Sequence, residues 1–210
     1  MSVQIQQVYD ITAPVHPGMT VYKNKEAKMP KFTCVQDFST AAAYETRIDI
    51  DVHTGTHMDA PLHMIPDGAT IETISIQQLI GPARVLDLTH VEDRVTAADL
   101  ADSGAKAGEW LVLKTRNSLQ EEFDFKFIFL AADGAQWCVD NGIKGVAIDA
   151  LGVERDQAGY PTHKTLFNAG VVIVEGIRAA EVPAGEYTLI IAPLRLVGTE
   201  ASPVRALLLK

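Results

Sequence analysis

Cysteine is nearly absent from this chain. Cys34 and Cys138 are the only two in 210 residues, and they lie far apart without CxxC or zinc-ribbon spacing. That excludes a disulfide framework and a cysteine-ligated zinc, and both thiols are expected to be reduced, as in the cytoplasm. Long apolar runs are lacking as well. No stretch is long enough to span a bilayer, and MSVQIQQVYD has no basic region followed by an apolar one, so neither a membrane span nor a secretory leader is expected. Positive charge is scarce: 18 Lys and Arg against 27 Asp and Glu leave −9, with no Lys/Arg run. Nucleic acid and anionic membrane surfaces are poor partners for such a chain. No GxGxxG or P-loop follows any candidate strand, which sets aside a doubly wound nucleotide fold. Repeats, low-complexity segments and linkers are missing too. With 47% hydrophobic residues, the whole of 1–210 suits one domain.

What is present begins irregularly. A short strand over 5–11 leads into Pro14, Pro17, Gly18 and Pro30. This composition predicts an N-terminal arm or lid over residues 1–40 rather than core elements. Residues 44–53 alternate. Tyr44, Thr46, Ile48, Ile50 and Val52 face one way, and Glu45, Arg47, Asp49, Asp51 and His53 the other. The pattern predicts a half-buried strand whose polar face delivers His53 to the strand end. Further strands are expected over 84–88, 110–114, 127–130, 145–149, 171–174, 187–192 and 204–209, with short helices over 76–80, 97–103, 134–141 and 163–169. Thr96 caps the second helix, with Asp99 reaching back. Thr162 caps the last, which sets His163 in its first turn. Gly104, Gly142 and Gly170 stand where helices stop. Strands dominate, so the expectation is an α/β domain with a mixed sheet and short helices.

The chemistry concentrates in the run His53-Thr54-Gly55-Thr56-His57-Met58-Asp59-Ala60-Pro61-Leu62-His63. With His163, it holds four of the six histidines. Imidazole nitrogen and carboxylate oxygen are ligands shared by zinc, manganese and iron. Two ligands four residues apart on a straight strand lie about 13 Å apart, whereas an ion binds each at only ~2.0–2.2 Å. The chain must therefore bend between His53 and His57, and Gly55 permits that bend. His57 and Asp59 share a face if the segment is extended. Pro61 blocks regular continuation and helps turn His63 back. A helical reading fits poorly with two threonines and a glycine, and the glutamate of HExxH is missing. A single histidine beside a turn is ordinarily a satisfied polar group; three with an aspartate in eleven residues point to a metal. Glu175 follows the apolar run 171–174, where a solvated charge is out of place and a partner is needed.

The same run resembles the hallmark of the metal-dependent cyclase family, His-x-Gly-Thr-His-x-Asp-Ala-Pro-x-His, without a mismatch. That family includes bacterial-type kynurenine formamidases and isatin hydrolases. The resemblance extends through Asp10-Ile11-Thr12 with Pro17-Gly18, Leu113-Lys114-Thr115-Arg116, and Gly145-Val146-Ala147-Ile148-Asp149. His163, Glu175, Pro193-Leu194-Arg195-Leu196-Val197-Gly198 and Ser202-Pro203-Val204-Arg205 complete it. It implies a swivelling β/α fold, assembled as a homodimer or homotetramer. It implies one or two divalent ions, zinc first and manganese as the alternative, held by residues matching His53, His57, Asp59, His163 and Glu175. It implies that His63 is the general acid/base. The implied reaction is hydrolysis of a C–N amide bond, that of N-formylkynurenine to kynurenine and formate above all. An isatin-like lactam or another small amide or ester is the alternative. A non-catalytic metal-binding protein is a rival of a different class, against which the presence of His63 beyond five ligand candidates speaks.

Some positions depart from the family pattern. Met19 follows Pro17-Gly18 where Asp is common, His16 replaces an aromatic residue, and Thr115-Arg116-Asn117 replaces a Thr-Gly turn. These positions lie near substrate in relatives, so they bear on which amide is cleaved. His16 and Tyr22 are candidates for the substrate entrance, in their own or a neighbouring subunit. Asp49 and Asp51 either orient a histidine ring or are solvated. His90 is assigned no role.

Overall fold

The computed structural model describes residues 5–210. In chain order its strands are β1 (Val8–Asp10), β2 (Lys31–Gln36), β3 (Glu45–Asp49), β4 (His57–Asp59), β5 (Ile80–Asp87) and β6 (Arg94–Val95). They continue as β7 (Trp110–Lys114), β8 (Phe129–Leu130), β9 (Gly145–Ile148), β10 (Val172–Glu175), β11 (Gly185–Pro193) and β12 (Ala201–Leu209). Three short α-helices are interleaved: α1 (Ala97–Ala101), α2 (Ala132–Asp140) and α3 (Pro161–Asn168).

Eight strands make one mixed sheet in the order β1-β12-β11-β5-β7-β9-β10-β4. β5, β7, β9 and β10 run parallel, and the other pairings are antiparallel. β4 also pairs with β12, through Ala201↔Asp59 and Pro203↔His57. The sheet therefore closes into a barrel-like ring, with β4 as the short strand that completes it. The pleat divides the apolar residues between two cores. Trp110 and Val112 of β7 join Met58, Val174, Leu189 and Leu208 inside the ring. Leu111 and Leu113 face outward onto α1, α2 and α3 with Leu100, Cys138 and Leu166.

The element expectations were mostly met, with four corrections. The strand expected over 44–53 is not half-buried. β3 pairs only with β2, in a separate hairpin, and every residue of β3 is exposed. Alternation records which side chains share a face, not whether that face meets a core. The helix expected over 76–80 is a single 3-10 turn, Ile76–Gln78, because Ile80 is drawn into β5 opposite Ile190. Helix α2 starts two residues before the expected 134. Helix α3 is capped at Tyr160 in left-handed geometry with Pro161 next, not at Thr162, whose hydroxyl donates to Leu130 O at 2.9 Å inside the helix. His163 still falls in the first turn. The Thr96–Asp99 capping box is present.

The N-terminal stretch divides. Ile11, Ala13, Met19 and Val21 are buried, and β1 pairs with the end of β12. From Lys31 onward the β2–β3 hairpin stands exposed.

Candidate metal centre

The centre sits where β4 meets the carboxyl end of β10, the end of parallel strands at which α/β proteins commonly hold ligands. Register puts Glu175 directly opposite His57. Gly55 has φ +62°, so the chain folds back between His53 and His57 as the spacing required. Thr56 locks that bend: its hydroxyl accepts from Ala13 N and donates to Gly176 O, both at 2.7 Å. Gly176 has φ +70°, and a Cβ there would stand 2.5 Å from Gly55 O. Only glycine at 176 lets the bend rest on the end of β10. Sequence reasoning did not find this residue.

The rings are oriented by hydrogen bonds on their outer nitrogens. His57 Nδ1 donates to Gly55 O at 2.9 Å, which turns Nε2 inward. That Nε2 lies 3.2 Å from Glu175 Oε2 and 3.6 Å from Asp59 Oδ1. His53 Nδ1 lies 3.1 Å from Asp59 Oδ1. His163 Nδ1 donates to Glu154 Oε2 at 2.8 Å, and its Nε2 lies 3.6 Å from Glu175 Oε1. The His63 ring is 4.4 Å from that of His53 and 5.7 Å from that of His163, centroid to centroid. The six residues singled out in the sequence are thus brought together.

Glu154 was missed. Its buried carboxylate accepts from His163 Nδ1 and also from His163 N, Thr162 N and Gln157 Nε2, at 3.2, 3.3 and 2.7 Å. It lies nine residues before His163 with a turn between them, so no local spacing announces the contact.

The electrostatics are those of crowded acids and bases. Burial opposes charge on His57, yet the neighbouring carboxylates of Glu175, 3.2 Å from Nε2, and Asp59 prevail and raise its pKa to about 9. Burial likewise opposes charge on His163, but Glu154 and Glu175 raise its pKa to about 10. Burial works against ionised Glu175, and His163 and His57 nevertheless hold it well below the usual carboxylate range. His63 differs. Burial lowers its pKa, and the pull of Asp59 does not restore it.

Three buried atoms here have no hydrogen-bond partner: His57 Nε2, Asp59 Oδ1 and Asp59 Oδ2. An aspartate rarely stays so bare in a protein interior unless a cation completes it. His53, His57 and Asp59 each offer a ligand atom within 4.8 Å of the others, and so do Asp59, His63 and His163. The chemistry of this donor set fits a divalent ion. Above it opens a cavity of ≈ 370 Å³, lined by Tyr22, Met64, Leu151, Tyr160 and the histidines.

Other candidates lie apart. Tyr22 lines this cavity from its own chain, half-buried and edge-on to Phe123. His16 does not. It borders a separate cavity, with Nδ1 2.9 Å from Pro17 O, so the expectation of an entrance residue is not met within one chain. Asp51 accepts His53 N at 2.9 Å, not a ring N–H, and Asp49 is exposed. Thr115 and Asn117 are tied to the buried carboxylate of Asp149 rather than to the centre.

Fold and centre together define a barrel-like α/β protein built around a histidine–carboxylate cluster suited to a divalent metal. Residues 9–155 match the family described as "Putative cyclase", and the chain belongs to that family. It is 31% identical to the kynurenine formamidase of Sphingopyxis alaskensis over 97% of this chain and 98% of that one. It is 33% identical to the kynurenine formamidase of Bacillus cereus over 77% and 78%. Among solved structures, one described as a potential metal-dependent hydrolase with cyclase activity is 54% identical over 97% of both chains, with a TM-score of 0.91. Isatin hydrolase A of Labrenzia aggregata superposes with a TM-score of 0.84 at 22% identity and shares the fold.

Proposed function

We propose that this chain is a metal-dependent amide hydrolase that cleaves an arylformamide, with N-formylkynurenine as the leading substrate. The observation that carries the reading is the set of bare buried ligand atoms on His57 and Asp59 beside an open cavity, which His63 also lines. The kynurenine formamidase relatives supply the substrate class.

His53, His57, Asp59, His163 and Glu175 would hold one or two ions, zinc first and manganese as the alternative. When bound, the ion supplies Lewis acidity and water activation. The chain's own residues do the rest. Glu154 and Gly55 O fix two rings with Nε2 facing inward. His63, whose pKa burial lowers, accepts the proton that water gives up as its oxygen joins the carbonyl carbon. As the C–N bond breaks, the same ring passes that proton to the leaving nitrogen, and a free amine departs with formic acid, which ionises to formate and a proton in water.

We also propose a homo-oligomer in which a second copy covers the β2–β3 hairpin. Phe38 is 76% exposed, and Phe32, Val35, Tyr44 and Ile48 are exposed beside it, more apolar surface than one hairpin ordinarily leaves to water. The unpaired Cys34 and Cys138 fit a reducing compartment such as the cytoplasm. No helix among the described residues is long and apolar enough to cross a membrane.

The test is N-formylkynurenine hydrolysis by chelator-treated protein before and after Zn²⁺ or Mn²⁺ is returned. Metal-restored turnover is expected. No turnover in protein shown to have rebound metal overturns the arylformamide substrate.

A further inference from the structure

Three lysines gather at the rim of the cavity, beside the carboxylate of Asp156. The chain's formal charge is −9, and the centre beneath is built around Asp59, Glu154 and Glu175. Yet Lys23, Lys25 and Lys28 all border the cavity, from one six-residue stretch. The three differ in what they touch. Lys28 Nζ donates to Asp51 Oδ2 at 2.8 Å, in a part-buried pair. Lys23 Nζ lies 3.7 Å from Asp156 Oδ1 and 5.3 Å from the centre of the Tyr22 ring. Lys25 makes no side-chain hydrogen bond or ion pair among the described residues. Its exposed neighbour Glu26 does not pair with it, and Asp156 and Asp51 are engaged by the other two lysines.

The backbone presents this stretch in a fixed shape. Lys23 and Asn24 have consecutive φ values of 56° and 51°, a left-handed region that L side chains disfavour. Such conformations persist where surrounding contacts impose them, and they cluster at ligand clamps. Here Tyr22 packs edge-on against Phe123, with ring centroids 5.4 Å apart, and Val21 and Pro30 are buried at either end.

We propose that Lys25 is a specificity-determining residue whose ammonium receives a carboxylate on the part of the substrate remote from the scissile bond, so that the site selects anionic small amides. This rests on the hydrolase reading above. Accepting a carboxylate costs Lys25 no protein partner, whereas Lys23 and Lys28 would each release one. A cation at the mouth of an otherwise acidic protein also gathers anions locally, an effect that salt weakens.

The matched probes are 3-formamidobenzoate and formanilide, which differ only in the carboxylate. The wild-type enzyme is expected to favour the anionic probe in kcat/KM by about tenfold, less at high salt. Lys25→Gln should erase that preference through KM, leaving formanilide turnover unchanged; Lys25→Arg should keep it and Lys25→Glu should invert it. Equal preference in wild type and Lys25→Gln overturns the proposal. A second readout stands free of turnover: calorimetric binding of 3-aminobenzoate against aniline to the zinc-loaded protein. Weakening of 3-aminobenzoate alone by Lys25→Gln supports the charge selection even if neither formamide is cleaved, an outcome that would sink the hydrolase reading instead. Unchanged binding of both amines overturns the role of Lys25.

Discussion

Glu154 and His63 separate two ways in which one side chain can serve a metal centre. Glu154 touches no inward-facing ligand atom. It fixes the His163 ring through Nδ1, and outer partners of this kind typically change metal affinity by about 10–100-fold. Glu154→Gln should therefore lower Zn²⁺ affinity within that range, read by competition with a chelating dye, while the melting temperature in excess zinc stays close to wild type. An unchanged affinity would remove Glu154 from the centre. His63 faces the cavity and belongs to one of the two ligand groupings. If its work is proton transfer, His63→Ala should keep the full metal complement by elemental analysis and lose about 10²–10⁴-fold in turnover. Loss of an ion in that variant would make His63 a ligand instead.

Two elements meet at the bend after His53, and their contact is steric. Gly176 directly follows β10 and packs against the carbonyl of Gly55, so closely that a Cβ would not fit, and at a positive φ. Gly176→Ala should cost at least ~2 kcal/mol of stability, combining left-handed strain with overpacking, and should disturb metal binding as β4 and β10 separate. Urea denaturation with and without zinc measures both. On the neighbouring strand, Asp149 accepts from Thr115 N and Oγ1, Asn117 Nδ2, and Ser118 N and Oγ. It joins the ends of β7 and β9 into one bracket. Asp149→Ala leaves several of these buried donors unpaired, at about 1–3 kcal/mol for each that water cannot reach. The expected result is a markedly lower denaturation midpoint with the metal ligands intact.

At the scale of the molecule, the centre ties β4, β10, α3 and the turn bearing Glu154 to one point. An ion held there binds the folded chain alone and adds stability by mass action, about 2.7 kcal/mol at a hundred times its dissociation constant. Chelation should accordingly lower the melting temperature by roughly 5–10 °C for a chain of this size, recovered on adding zinc and read by calorimetry. The exposed hairpin sets a second expectation. Replacing Phe38 and Ile48 together by serine should reduce the solution mass by light scattering to that of one chain. A parent protein that is already monomeric would remove the hairpin from any interface.

The sequence by itself determined what depends on near neighbours along the chain. The run from His53 to His63 announced its cluster of histidines and Asp59, its bend at Gly55 and its turn at Pro61 because eleven residues contain all the parts. The capping box at Thr96 and Asp99 and the apolar strands before Asp149 and Glu175 were legible for the same reason. Tertiary structure decided what depends on which surfaces meet. Residues 44–53 alternate like a half-buried strand, yet the strand ends at Asp49 and no layer covers 44–49 in this chain. Thr162 is a good cap by type, but Pro161 begins the helix and the Thr162 hydroxyl bonds to Leu130 O. His16 occupies an entrance position in the family pattern but borders another cavity in space. Glu154 and Gly176 carry no signature of their own, since a carboxylate becomes a ring's anchor and a glycine becomes obligatory only once a distant segment is folded against them.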